Sequence, residues 1–109
     1  MKSKNPYKLL VSLVSSVKKN IVFLDSSTFP NHLKFDKLEF PHIWKNHKTT
    51  SPTEVIKRIK TAHVLVNNKV NLGEHELQHA KNLELIALTA TGTNIIDLDY
   101  CKKNNIKVC

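Results

Sequence analysis

Short, uninterrupted apolar runs at regular intervals constrain this chain more than any other feature. Ile21-Val22-Phe23-Leu24, Val64-Leu65-Val66 and Leu85–Thr89 read as strands of three to five residues, and Ile106-Lys107-Val108 begins another. A strand that is continuously apolar is covered on both faces, which is the situation of a strand inside a parallel sheet. Helix signals fall between the runs. Ser51-Pro52-Thr53-Glu54 offers a cap, a proline suited to the first turn and a glutamate placed to complete a capping box. Val55, Ile56 and Ile59 continue it as an apolar stripe running to about Ala62. A second helix is predicted from Gly73 to Lys81, and a third over Leu98–Lys103, capped by Asp97 and stopped at Asn104-Asn105. His42–Thr49 mixes Ile43 and Trp44 with polar residues, as an edge strand does, and Phe29–Phe40 is too weakly patterned for an assignment. Strands alternating with helices at this spacing specify an α/β fold. About five strands fit an open, flavodoxin-like parallel sheet with helices on both faces.

With 109 residues, 40% of them hydrophobic, the chain suits one domain with a modest core. Its two cysteines, Cys101 and Cys109, are not a disulfide framework, and the expected compartment is a reducing cytoplasm. The formal net charge of +8 raises nucleic acid as a partner, but Arg58 is the only arginine and the lysines are scattered. Bidentate recognition of phosphates and bases favours arginine, so no specific nucleic-acid partner is expected. Residues 1–19 form a basic N-terminal extension whose apolar run, Leu9–Val17, is far too short to span a bilayer, and no membrane association is expected.

Ligands of open α/β sheets sit beyond the carboxyl ends of the strands. Three polar segments occupy those ends: Asp25–Thr28, Asn67–Lys69 and Thr89–Asn94. In the third, Gly92 permits backbone conformations in which successive N–H groups converge on one point. Thr91 and Thr93 leave the approach open, and Lys69 can add a point charge. Such a nest suits a carboxylate, although a plain strand-to-helix turn accounts for the same residues.

The strings NIVFLDSSTFP, KFDKLEFPHIWKNHKTTSP, LVNNKVNL, LELIALTATGTNIIDLD and the closing IKVC carry a resemblance. Residues 20–109 resemble the N-terminal, substrate-binding (catalytic) domain of the D-isomer-specific 2-hydroxyacid dehydrogenases, in particular the bacterial glycerate dehydrogenases, or hydroxypyruvate reductases. The resemblance implies a flavodoxin-like domain in which the loop matching Thr91 and Gly92 gives backbone N–H groups to the substrate carboxylate. Asn68 and Lys69 match a loop beside the same pocket. It further implies hydride exchange between NAD and a small 2-hydroxy or 2-oxo acid, and homodimeric assembly. The family's catalytic Arg, Glu and His and its Gly-rich dinucleotide fingerprint match nothing here, since Gly73 and Gly92 are the only glycines and Arg58 lies on a predicted helix. This chain alone is therefore expected to bind neither NAD nor a metal, and to be catalytically inactive as a fragment.

Two other readings stand beside it. His75-Glu76-Leu77-Gln78-His79 fits the HExxH pattern of a zinc-dependent hydrolase, with His75 and His79 as ligands and Asp99 or Glu84 as a candidate third. A basic, non-enzymatic binding domain is the other. His32, His42, His47 and His63 have no acid/base partner in sequence, Trp44 reads as a packing anchor, and Cys101 as a small apolar filler. Asp97 and Asp99 are expected to serve a helix N-terminus.

Overall fold

The computed structural model describes residues 19–28, 42–88 and 94–109. Five strands, β1 (Lys19–Phe23), β2 (His42–Asn46), β3 (Val64–Asn67), β4 (Leu85–Leu88) and β5 (Lys107–Val108), form one sheet in the order β2-β1-β3-β4-β5. Every pairing is parallel. This is the flavodoxin-like order, with its reversal between β1 and β3. Among the described residues the helices are α1 (Val55–Ile59), α2 (Glu74–Leu77) and α3 (Leu98–Lys103), with a 3-10 turn over Ser26–Thr28 after β1.

The steps β2 to β3, β3 to β4 and β4 to β5 all run the same way across the sheet, so right-handed crossovers put the three helices on one face. Val22, Leu24, Leu65 and Ile86 project there and join Val55, Ile59, Leu77 and Cys101 in a single buried cluster. Residues of the opposite parity, Ile21, Phe23, Val64, Val66, Leu85 and Ala87, are buried as well. Burial of both parities explains the continuous apolar runs: neither face of these strands meets water. The expectation of helices over the second face falls on residues outside those described.

Two helices are shorter than their apolar stripes predict. After Ile59 and Leu77 the backbone tightens, with Ala62 N–H donating to Ile59 O and Ala80 N–H to Leu77 O, so the outer residues complete three-residue turns and not α-helix. Ser51 also plays a different part from the one expected. The Glu54 carboxylate reaches back to the Ser51 N–H at 3.0 Å as a capping box requires, but the Ser51 hydroxyl donates to that same carboxylate and does not cap an N–H. Arg58 pairs with Glu54 and donates to Thr49 O and Thr50 Oγ1 at 2.6 and 2.7 Å, which secures α1 to the preceding loop. The third helix follows its expectation, with Asp97 Oδ1 accepting from Tyr100 N–H at 3.0 Å.

Strand β2 ends three residues earlier than Thr49, because His47 and Lys48 turn to bond the 3-10 turn: their carbonyls accept from Ser26 and Ser27 N–H. Trp44 meets Phe23 edge-on, the rings 6.3 Å apart. At the amino end of the sheet, β1 begins one residue inside the expected N-terminal extension. Lys19 is 5% exposed, and its ammonium lies 2.8 Å from the Glu84 carboxylate. Among the described residues no helix is long and apolar enough to cross a membrane.

Candidate functional site

Parallel strands send their carboxyl ends to one edge, and three segments leave that edge side by side. Strand β1 delivers Asp25 and the 3-10 turn; β3 delivers Asn67 and residues 68–70. Leu88 of β4 lies in register with Asn67. Strand order reverses between β1 and β3, which is where open α/β sheets leave a crevice.

The turn after β3 is closed from within. Asn67 is fully buried; its Nδ2 donates to Val70 O at 2.8 Å and its Oδ1 accepts from Val70 N–H at 3.0 Å. Asx geometry of this kind holds four residues without help from a sheet ladder. Asp25, only 4% exposed, supplies the next restraint. Its Oδ1 accepts from Asn68 N–H at 3.0 Å and its Oδ2 from Lys69 N–H at 2.6 Å. Thr28 Oγ1 donates to Asp25 O at 2.7 Å and accepts from Asn68 Nδ2 at 2.9 Å, tying the two turns together. All three backbone N–H groups of residues 68–70 are thus used inside the chain. What this turn can present to a ligand is side chains, above all the exposed Lys69, whose ammonium forms no ion pair among the described residues.

The neighbouring segment is pinned at its far end. Leu72 and Ile96 form an isolated parallel bridge, with Leu72 N–H donating to Ile95 O and Asp97 N–H to Leu72 O at 2.8 and 3.0 Å. A groove of about 480 Å³ opens at this edge between β1 and the turn after β3, with Asp25, Ser27, Thr28, Lys69, Asn71 and Glu76 in its wall. Asn68 and Lys69 are brought to the expected edge. Thr91 and Gly92, with the rest of the nest at 89–93, lie outside the described residues. Asp25 was not among the predicted site residues, although a carboxylate directly after a four-residue apolar run is a signal the sequence contains.

The HExxH residues do not assemble as a zinc hydrolase would need. Helix α2 ends at Leu77, leaving His79 beyond it, and the two imidazoles meet edge-to-face at 6.2 Å. The Glu76 carboxylate accepts the Gly73 N–H at 2.9 Å, an N-terminal cap and not a free base. Glu84 holds Lys19 at the opposite end of the sheet, and Asp97, beside Asp99, caps α3. Among the described residues no three His, Cys, Asp or Glu side chains are grouped to hold a metal ion. Cys101 packs in the core, where burial first and the Asp97 charge second push its thiol pKa up, so it stays neutral. Among the described residues no glycine-rich turn offers a cradle for a dinucleotide. The turn after β1 reads Leu24-Asp25-Ser26-Ser27-Thr28, without glycine, and Gly73 opens a four-residue helix.

Strand order and helix placement together define an α/β domain of the flavodoxin-like class. Residues 21–109 match the catalytic domain of the D-isomer specific 2-hydroxyacid dehydrogenases, and the chain belongs to that family. A Haemophilus influenzae protein described as a 2-hydroxyacid dehydrogenase is 40% identical over 88 residues, which are 81% of this chain and 28% of that protein. The glycerate dehydrogenase of Methylorubrum extorquens is 33% identical over 91 residues, 83% of this chain and 28% of its own length. The 3-phosphoglycerate dehydrogenase of Entamoeba histolytica, solved with NAD+ bound, superimposes with a TM-score of 0.68 at 18% identity, over 84% of this chain and 32% of that one. The chain therefore spans little more than a quarter of the length of these curated relatives.

Proposed function

We propose that residues 20–109 are the substrate-holding portion of a cytoplasmic D-2-hydroxyacid dehydrogenase of the glycerate/hydroxypyruvate type, with NAD as the cofactor of the whole enzyme and residues 1–19 as an appended basic extension. The family match over residues 21–109, read with the arrival of Asn68 and Lys69 at the carboxyl edge, carries this reading. In it, backbone N–H groups at Thr91 and Gly92 grip the carboxylate of a small 2-hydroxy or 2-oxo acid. The Lys69 ammonium supplies the neighbouring positive charge, and Asn68 borders the pocket. The glycerate preference leans on the Methylorubrum relative; the NAD assignment leans on the Entamoeba structure. Free Cys101 and Cys109 support a reducing compartment.

The chain's own residues bind and orient an anion; among the described residues at this edge no acid/base pair is placed to move the hydroxyl proton. Titration of the 15N-labelled chain with D-glycerate and with hydroxypyruvate tests the reading. The expected result is saturable binding in the millimolar range, with shift changes centred on the Lys69, Thr91 and Gly92 amides and no oxidation of added NADH. Shift changes elsewhere, or none beyond those caused by equal chloride, would reject it.

A further inference from the structure

The turn after β3 is an amide nest that is already filled, and the anion filling it belongs to the chain. Successive N–H groups at Asn68 and Lys69 converge on one carboxylate, each oxygen of Asp25 taking one of them. A nest of this form ordinarily gathers an external anion. Asp25 reaches it from a different strand, 43 and 44 residues earlier in the chain. Burying a carboxylate is costly unless it is fully bonded, and no Lys, Arg or His forms an ion pair with Asp25 among the described residues. Its compensation comes from the two N–H groups.

We infer that Asp25 is a positioning residue: by occupying the nest of residues 68–69 it fixes the turn, aims Lys69 at the groove and keeps a substrate carboxylate from settling on those amides. Three features support this. Charge-assisted hydrogen bonds to a carboxylate are roughly twice as strong as neutral ones, and the 2.6 Å contact to Lys69 is at the short end of the range. Asn67, fully buried, closes the same turn from inside, so the two side chains together account for every N–H from 68 to 70. Thr28 then joins the Asp25 backbone to the Asn68 side chain, so the acceptor and the turn it holds cannot shift independently. With its amides occupied, the turn offers a ligand its side chains, above all the Lys69 cation at the wall of the groove.

The inference rests on the proposed substrate-holding role, and its test separates the two. In the 15N,13C-labelled wild-type chain, acid titration is expected to move the Asn68 and Lys69 amides in step with the Asp25 carboxyl carbon. If those amides ignore the Asp25 titration, the inference is wrong, whatever the chain binds. This measurement needs no variant and stands even if substitutions at the buried site unfold the protein. In Asp25→Asn, hydrogen exchange at Asn68 and Lys69 should accelerate, and D-glycerate affinity should fall at least about tenfold without an equal loss of thermal stability. Unchanged affinity in Asp25→Asn beside normal wild-type binding would overturn the inference and leave the proposed function intact. Wild-type chain that ignores D-glycerate would instead reject the proposed function, and the ligand-directing part of the inference with it.

Discussion

Lys69 stands on a turn whose backbone donors are all engaged, so its attraction for an anion rests on one ammonium at the end of a flexible stem. Lys69→Met should lower D-glycerate affinity about tenfold, read by calorimetry, while the melting temperature stays within about a degree, since the side chain is exposed. Asn67 presents the opposite case. Removing its buried amide in Asn67→Ala strands the Val70 N–H and C=O and should cost about 1–3 kcal/mol of stability in urea unfolding. Cys101 predicts an alkaline effect. Its thiol is held above the ordinary value of 9.0 in the folded chain, so above that pH the unfolded chain loses a proton that the folded chain retains. Stability contributed by this group is therefore full below pH 9 and lost as pH rises past it; Cys101→Ala should flatten that limb of the melting curve.

Among the elements, α1 and the loop before it form the acid-sensitive part. Burial and then the Arg58 charge lower the His47 pKa below 6.5, so the unfolded chain takes up a proton first as pH falls through that value, and stability drops. Glu54, lowered from 4.5 by hydrogen bonds from Ser51, contributes stability that is present above 4.5 and lost below it. Both losses run in the same direction. Melting temperatures should fall on acidification from pH 7 to 4, and His47→Gln should remove the portion that begins near 6.5. Helix α3 has a simpler dependence: Asp97→Ala, by stripping the cap from Tyr100 N–H, should cost about 1 kcal/mol. That helix was legible from Asp97 to Lys103 because both its start and its stop are local. Helices α1 and α2 were legible in place but not in length, since their apolar stripes continue through residues, Ala62 and Ala80 among them, that are buried from within turns.

For the molecule as a whole, the sheet's centre carries the stability, and the proposed ligand groove lies at its carboxyl edge. Leu65 and Ile86 are fully buried on neighbouring strands, and truncating either to alanine should cost about 2–5 kcal/mol, a large part of what a domain of this size has. Ile43→Ser on the exposed face of β2 should change urea stability by no more than about 0.5 kcal/mol. The short apolar runs and the helix signals between them were enough to specify a parallel sheet of about five strands, because covering both faces of each strand leaves few other solutions. The segments at its carboxyl edge were legible for the same reason: parallel strands must all end there.

The class of fold, the alternation of elements and the family could be read along the chain, since they follow from local hydrophobic periodicity, capping residues and recognisable strings. Only the assembled fold places Asp25 on the amides of residues 68–69 and ties Lys19 into the sheet through Glu84. The physical reason is separation. Lys19 and Glu84 are 65 residues apart, and Asp25 lies 43 and 44 residues from the N–H groups it accepts. Such partners acquire an energy only once the sheet has set β1 beside β3 and β4 beside β3, and no local pattern in the chain encodes that distance.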